Sequence, residues 1–357
     1  MNTVLRKVVT TLYKRPLLNK TASILADGPL YQPLILFFHG VQEKIIDPRI
    51  QMLHSTLENF EPLVHHLKRH FHLIDANELH ARLQTRKPDL SRCVMLTFDD
   101  GYRDNATMVA PLLSSMGIPF TIYLTTSAIG TGILLPTFVA RAALTLTDRK
   151  SCKLPGVDQE LALDSEPQRL RAIARITSAL KECTTSAGIT LTHELMKLLS
   201  ADQWADIRER FTSDQFMTWE QVREVNCTGA VIGAHGHEHF PLNQSQGRDE
   251  IRRQLTTSRD LITKHTGSCH HYAFPNGQPE DICPEALAAV EAAGFSTAVT
   301  TLSGPLAAST SPFLLPRSCV YTVTGLHRRI LSSRFDGSAR ILKAWQTDLL
   351  HQAKGLA

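Results

Sequence analysis

Long apolar runs are missing from this 357-residue chain, and none approaches the ~18 consecutive apolar residues of a membrane-spanning helix. The N-terminus, MNTVLRKVVTTLYKRPLLNK, is basic, but its apolar runs are only two or three residues long. A secretory signal needs roughly 7–15 in a row. There is no C-x-x-C, and the seven cysteines (Cys93, Cys152, Cys183, Cys227, Cys269, Cys283, Cys319) are scattered and odd in number. That spacing argues against a disulfide framework and for a reducing compartment. A dominant charge is also absent: 38 basic and 34 acidic residues give a net charge of +4. This is far from the basic stripe of a nucleic-acid binder, so no nucleic-acid partner is expected. Together these absences lead us to expect a cytoplasmic protein, at most one working at the inner membrane surface.

What is present points to a globular α/β chain. With 43% hydrophobic and 20% charged residues the chain can bury a large core. Short apolar runs alternate with helical patterns. Leu34–Phe38, Cys93–Phe98, Phe120–Leu124, Ala230–Ala234, His271–Phe274 and 295–300 read as strands, and the intervening stretches carry helical stripes. One such stripe is Leu57, Phe60, Leu63, Val64 and Leu67, preceded by Ser55-x-x-Glu58 as a capping box. Strands interleaved with helices mean βαβ units and a parallel sheet. No G-x-G-x-x-G opens any helix, and Gly130-Thr131-Gly132 stops short of that pattern. About seven units therefore favour a distorted (β/α) barrel over a doubly wound sheet.

The rhythm breaks between Leu124 and Trp219. Ser165 and Pro167 give helix-start signals, Leu170, Ile173, Ile176 and Leu180 a stripe, and Ser200-x-x-Gln203 another cap. Residues 129–215 thus read as a mostly helical insertion on a βα loop, within a barrel formed by 31–128 and 216–330. Residues 331–357 read as a C-terminal helical segment. Residues 1–30 form a basic amphipathic segment: Val4, Leu5, Val8, Val9, Leu12 and Tyr13 recur at helical spacing, and no acid precedes Asp27. Two readings fit residues 1–25, peripheral contact with an anionic membrane or a helix packed on the protein body.

The sixteen histidines matter by position rather than number. Polar residues fall at the exits of expected strands: His39 after LILFF, Asp99-Asp100 after VMLTF, and His235-Gly236-His237-Glu238-His239 after AVIGA. In a barrel these exits converge on one face. Neighbouring carboxylates on a straight strand point to opposite sides, but before Gly101 both can turn into one site. Two histidines and one carboxylate leave a coordination position for water, as catalytic zinc requires. Taken singly, each piece also reads as a turn or a solvated loop; the conjunction at strand exits favours a metal site.

LTFDDGYRDN (96–105) resembles the first motif of the polysaccharide deacetylases, carbohydrate esterase family four. IGAHGHEH (232–239) is similar to their His-x-x-x-His metal motif. Met217-Thr218-Trp219-Glu220-Gln221, Phe274-Pro275-Asn276-Gly277, Gly294-Phe295 and Leu315-Pro316-Arg317 match further landmarks. The resemblance implies metal-dependent removal of an N-acetyl group from an amino sugar in a glycan, glycolipid or sugar precursor. Asp99 would be the general base, Asp100, His235 and His239 would hold a divalent metal, by preference zinc, and a backbone N–H near Tyr102 would face the oxyanion. No Leu-x-His motif follows Arg317, where many members carry their catalytic acid, and Leu326-His327 is the nearest substitute. The permuted members similar to poly-N-acetylglucosamine deacetylases place this histidine on the first strand, which nominates His39. Arg317 is a candidate to orient Asp99 in place of the arginine missing from the third motif, with a surface salt bridge as its alternative. Asn276 stands where an aromatic is common, leaving the sugar-binding surface open.

Other signals lead nowhere. His193-Glu194 is followed by Lys197 rather than a second histidine, so no zincin motif exists. His65, His66, His70 and His72 have no partner carboxylate at ligand spacing and read as solvated or interfacial. Other functional classes stay open: hydrolysis of a non-sugar C–N bond, or a barrel without turnover that binds glycans.

Overall fold

The computed structural model describes residues 33–304, 306, 310–319 and 352–353. The N-terminal segment 1–30, Leu326-His327 and nearly all of 331–357 lie outside the described residues.

Short, continuously buried runs build the sheet. Strands β1 (Leu34–Phe38), β2 (His72–Ile74), β3 (Cys93–Phe98), β4 (Thr121–Leu124), β5 (Val231–Ala234), β6 (His271–Ala273), β7 (Thr297–Val299) and β8 (Ser318–Cys319) all pair in parallel. The hydrogen-bonded order is β7-β6-β5-β4-β3-β1-β8. β1 takes one whole edge of β3, while β2 pairs with Cys93–Met95 and β4 with Thr97 and Phe98 along the other. The sheet curls until its edges meet: Leu315 bridges Val299 of β7, and Ser318 and Cys319 pair with Leu36 and Phe37 of β1. The result is the expected distorted (β/α) barrel.

Side chains two apart share a face. Leu34, Leu36, Phe38, Val94, Leu96, Phe98, Ile122 and Leu124 join the large cluster under the helices. Ile35, Met95, Tyr123, Ala273, Val299 and Leu315 form a smaller cluster inside the curl. Most strands are therefore buried on both faces, β2 with its exposed His72 being an exception, and these read as continuous apolar runs.

Helices α1 (Leu57–His70) and α2 (Ala76–Leu83) follow β1 and β2. The predicted capping box at Ser55 is corrected. Ser55 N–H donates to the Gly40 carbonyl in a two-residue parallel pairing with Val41–Gln42, so the extended backbone continues to Thr56 and α1 starts one residue later. After β3 comes one π-helical turn (Asn105–Val109) and then α3 (Ala110–Ser115). Residues 129–215 hold α4 (Pro136–Leu146), α5 (Glu166–Glu182), α6 (Thr185–Met196) and α7 (Ala201–Arg210), plus a small antiparallel pairing of Ser151–Cys152 with Leu161–Ala162. The expected Ser200–Gln203 cap forms, and Ser165, expected to start a helix, makes a capping box with Gln168. α8 (Trp219–Cys227), α9 (Arg248–Thr266) and α10 (Pro284–Ala292) complete the α/β alternation. Among the described residues no helix is long and apolar enough to cross a membrane, and none of the seven cysteines is in a disulfide.

Candidate active site

The inward series of each strand delivers its side chain to the mouth of the curl. Asp99 continues Cys93, Met95 and Thr97; His39 continues Ile35 and Phe37; His235 continues Val231 and Gly233. Asp100 belongs to the outward series and would point at the helices if the strand ran on. It reaches the site because its own φ is +73°, in the left-handed region, followed by Gly101 at +85°. The turn expected at the glycine thus begins one residue earlier. His239 sits at φ +61° beyond Gly236 at +75°. Two non-glycine residues held in this costly region at one site mark a place where the surrounding structure enforces side-chain position.

Asp100, His235 and His239 offer ligand atoms that all lie within 4.8 Å of one another. Asp100 Oδ1 is 3.2 Å from His239 Nε2 and 3.7 Å from His235 Nε2. His235 Nδ1 is 2.8 Å from the Ala273 carbonyl, which can only accept, so the proton resides on Nδ1 and Nε2 presents its lone pair. Burial lowers both imidazoles to about 4, leaving them neutral at physiological pH. Asp100 Oδ1 is buried and accepts no hydrogen bond among the described residues. Two neutral imidazoles beside a carboxylate oxygen without a donor fit a divalent metal.

Asp99 is held differently. Arg317 grips it with a two-pronged contact, Nη1 to Oδ1 at 2.7 Å and Nη2 to Oδ2 at 2.8 Å. Arg317 is fully buried: its Nε donates to the Thr300 carbonyl at 2.9 Å, and its guanidinium carbon lies 4.7 Å from the Phe37 ring centroid. The surface salt bridge considered for Arg317 is thereby overturned. Arg317 directly precedes β8 and enters the barrel interior from the segment that joins the sheet edges. Burial pushes the Asp99 carboxyl up, but Arg317 and His235 outweigh it and hold it at about 2. For Asp100 burial prevails over His39 and His235, and its carboxyl is raised.

His39 is 8% exposed; its carbonyl accepts from Asn105 Nδ2 at 3.0 Å, and its Nδ1 has no hydrogen-bond partner among the described residues. Its ring meets that of Phe37 edge-on at 5.9 Å between centroids. Tyr102 forms a lone antiparallel bridge with Phe216, flanked by Arg103 N–H to Gln215 O and Met217 N–H to Gly101 O. In that pattern the Tyr102 N–H is directed away from the partner segment. Asn276, half-buried at φ +61°, occupies the turn after β6, and its carbonyl accepts from Thr301 Oγ1.

His237, given no role from sequence, bonds Thr126 Oγ1 at 2.9 Å, while its backbone N–H and that of Glu238 both donate to Gln254 Oε1 of α9. Gln254 therefore clamps the loop between His235 and His239. Sequence reading missed it because nothing marks one glutamine of an amphipathic helix. His65 and His72 are exposed, as expected, though each lies near a glutamate, Glu61 and Glu78.

Fold and site together define a hydrolase of the curled α/β barrel class, built around an Asp-His-His cluster. The polysaccharide deacetylase family profile matches residues 86–298, more than half of the chain, and the chain belongs to that family. It is an enzyme that removes N-acetyl groups from sugars. No curated protein sequence matches it significantly. Among solved structures it is similar to the Streptococcus pyogenes deacetylase PplD, with TM-score 0.53 and 16% identity over 86% of this chain and 99% of that one. It is also similar to IcaB from Ammonifex degensii, with TM-score 0.53 and 14% identity over 85% and 96%. Both likenesses are of fold. His39 and Arg317 lie outside the profile match, directly after β1 and directly before β8, the two strands that the curl brings side by side.

Proposed function

We propose that this chain is a metal-dependent amino-sugar deacetylase in which Asp100, His235 and His239 hold a divalent metal, preferably zinc. The observation that carries this reading is the pairing of two unlike carboxylates on adjacent residues. Asp99 is locked by Arg317 as an ionised base, while Asp100 is turned toward two neutral imidazoles. When bound, such a metal polarises the amide carbonyl and acidifies a water.

The protein's own groups supply the remaining steps. Asp99, kept ionised by Arg317, accepts the proton of the attacking water. The Tyr102 N–H, directed away from its partner segment, donates to the oxygen that becomes negative. His39 delivers a proton to the departing amine, without which an amide C–N bond breaks poorly. The two carboxylates thus divide the labour: the arginine-bound one cannot drift onto a metal, and the free one can.

Acetate release from a panel of N-acetylated amino sugars, combined with metal analysis, tests this proposal. Asp99→Asn is expected to abolish turnover while the protein still binds one zinc. Near-normal acetate release by that variant would remove Asp99 from the mechanism. Absence of both zinc and acetate release in the unaltered protein would favour a binding role.

A further inference from the structure

The stretch from Gly236 to His239 belongs to no helix or strand. It leaves β5 after His235, takes left-handed backbone at Gly236, and takes it again at His239. A histidine holds that conformation only where its surroundings over-determine it. Two sets of contacts do so. On one side, the residues after β4 bond the carbonyls of this stretch: Thr126 N–H donates to Gly236 O at 3.3 Å and Ser127 N–H to His237 O at 2.9 Å. On the other side, α9 bonds its amide groups. The N–H of His237 and that of Glu238 both donate to Gln254 Oε1 at 2.9 Å.

The other end of the Gln254 side chain is equally engaged. Its Nε2 donates to Glu250 Oε1 at 2.9 Å and to Glu238 Oε2 at 2.5 Å. Two backbone donors and two carboxylates around one amide allow a single assignment of its oxygen and nitrogen. Arg253 bonds the same two carboxylates and balances their charge. The position of Gln254 in its helix is telling. α9 turns Ile251, Leu255, Ser258 and Ile262 inward, and Gln254, 1% exposed, lies in that buried stripe. A leucine or methionine there would fill the space without polar atoms. Burying an amide is costly unless its groups are paired, and this one is paired to the loop and to the two glutamates.

We propose, resting on the reading of His235 and His239 as metal ligands, that Gln254 is a positioning residue. By holding two successive peptide N–H groups between the two histidines, it fixes the His239 imidazole relative to Asp100 and His235. Without the acceptor, both N–H groups would lose their partner and the His239 backbone one of its restraints. A metal would then have to order the loop as it binds, which lowers its affinity.

The test uses the full chain and three proteins: unaltered, Gln254→Met and Gln254→Glu. Zinc affinity is measured by competition with a chromophoric chelator, and the visible spectrum of the cobalt(II) form reports ligand geometry. Gln254→Met keeps the length but offers the two N–H groups no acceptor oxygen. It is expected to weaken zinc binding by about 10–100-fold, the usual effect of losing a group that acts behind a metal ligand, and to shift the cobalt bands. Gln254→Glu keeps the acceptor and is expected to recover most of the affinity and the original bands. A purely structural glutamine would lower thermal stability in Gln254→Met yet leave affinity and spectrum unchanged, and that result would overturn the proposal. Equal losses in the two variants would overturn it as well, since the acceptor would then not be what matters. Should Gln254→Met fail to fold, Gln254→Glu decides alone: the original cobalt bands support the proposal and shifted ones overturn it. Failure of the unaltered protein to bind zinc would instead overturn the ligand assignment, and this inference with it.

Discussion

Asp99 and Asp100 are chemically identical and adjacent, yet their surroundings drive their carboxyls in opposite directions. Burial acts on both; only Asp99 receives a guanidinium fork. The sign for Asp99 follows. Its carboxyl is depressed on folding, so its contribution to stability is present above the unfolded value and is lost as pH falls toward about 2. Removing the fork by Arg317→Ala leaves an unpaired buried carboxylate, which costs about 3–5 kcal/mol. Turnover should fall as well. Arg317→Lys keeps the charge but not the two-pronged geometry and should recover only part of either loss. Urea unfolding and acetate release measured on both variants check this; unchanged values for Arg317→Ala would show that the pair is dispensable. At this scale the motif residues Asp99, Asp100, His235 and His239 were legible because their types and spacings are unusual. His54 and Asp214 were not, since a histidine in a loop and an aspartate closing a short helical turn carry no distinguishing pattern.

At the scale of elements, each strand works as a two-faced rod whose last inward residue serves the site. β5 shows how tight this is. Gly233 lies in its inward series, and a Cβ there would lie 2.6 Å from the Tyr123 ring and 2.7 Å from the His271 carbonyl oxygen. Tyr123 can give only by displacing Arg317, whose guanidinium carbon is 5.7 Å from its ring, and the carbonyl belongs to the neighbouring strand. Gly233→Ala is therefore expected to destabilise by at least the ~1–3 kcal/mol of ordinary overpacking, and to impair activity by disturbing Arg317. Denaturant unfolding of the variant checks it, and unchanged stability would mean that the barrel interior is looser than its contacts imply. Six of the eight strands were legible from apolar runs and several helices from stripes, whereas the short β2 and β8 were not. The start of α1 was not, because Ser55 satisfies a capping pattern while its backbone is engaged by Gly40.

For the molecule as a whole, the insertion and the barrel share a buried acid. Burial holds the Asp214 carboxyl up at about 6, against the lowering effect of Gln51, Gln42 and Arg141. A carboxyl raised on folding contributes stability below its unfolded value, near the usual 3.8, and that contribution is lost as pH rises through about 6. The unaltered protein should thus lose up to about 3 kcal/mol relative to Asp214→Asn between pH 4 and pH 6. Parallel stability curves for the two proteins across that window would refute the shift.

The amino-acid sequence alone determined the alternation of elements, the distorted barrel, the family and the four residues at strand exits. All of these are written in local periodicity or in short motifs, which survive without knowledge of what packs on what. Tertiary structure decided the rest. It brought Arg317 to Asp99 across 218 positions, turned Asp100 inward by its backbone angle, and placed Asp214 of the insertion against His54. Such pairings depend on how the sheet curls and closes, and curvature is a property of the assembled strands that no single stretch of sequence records.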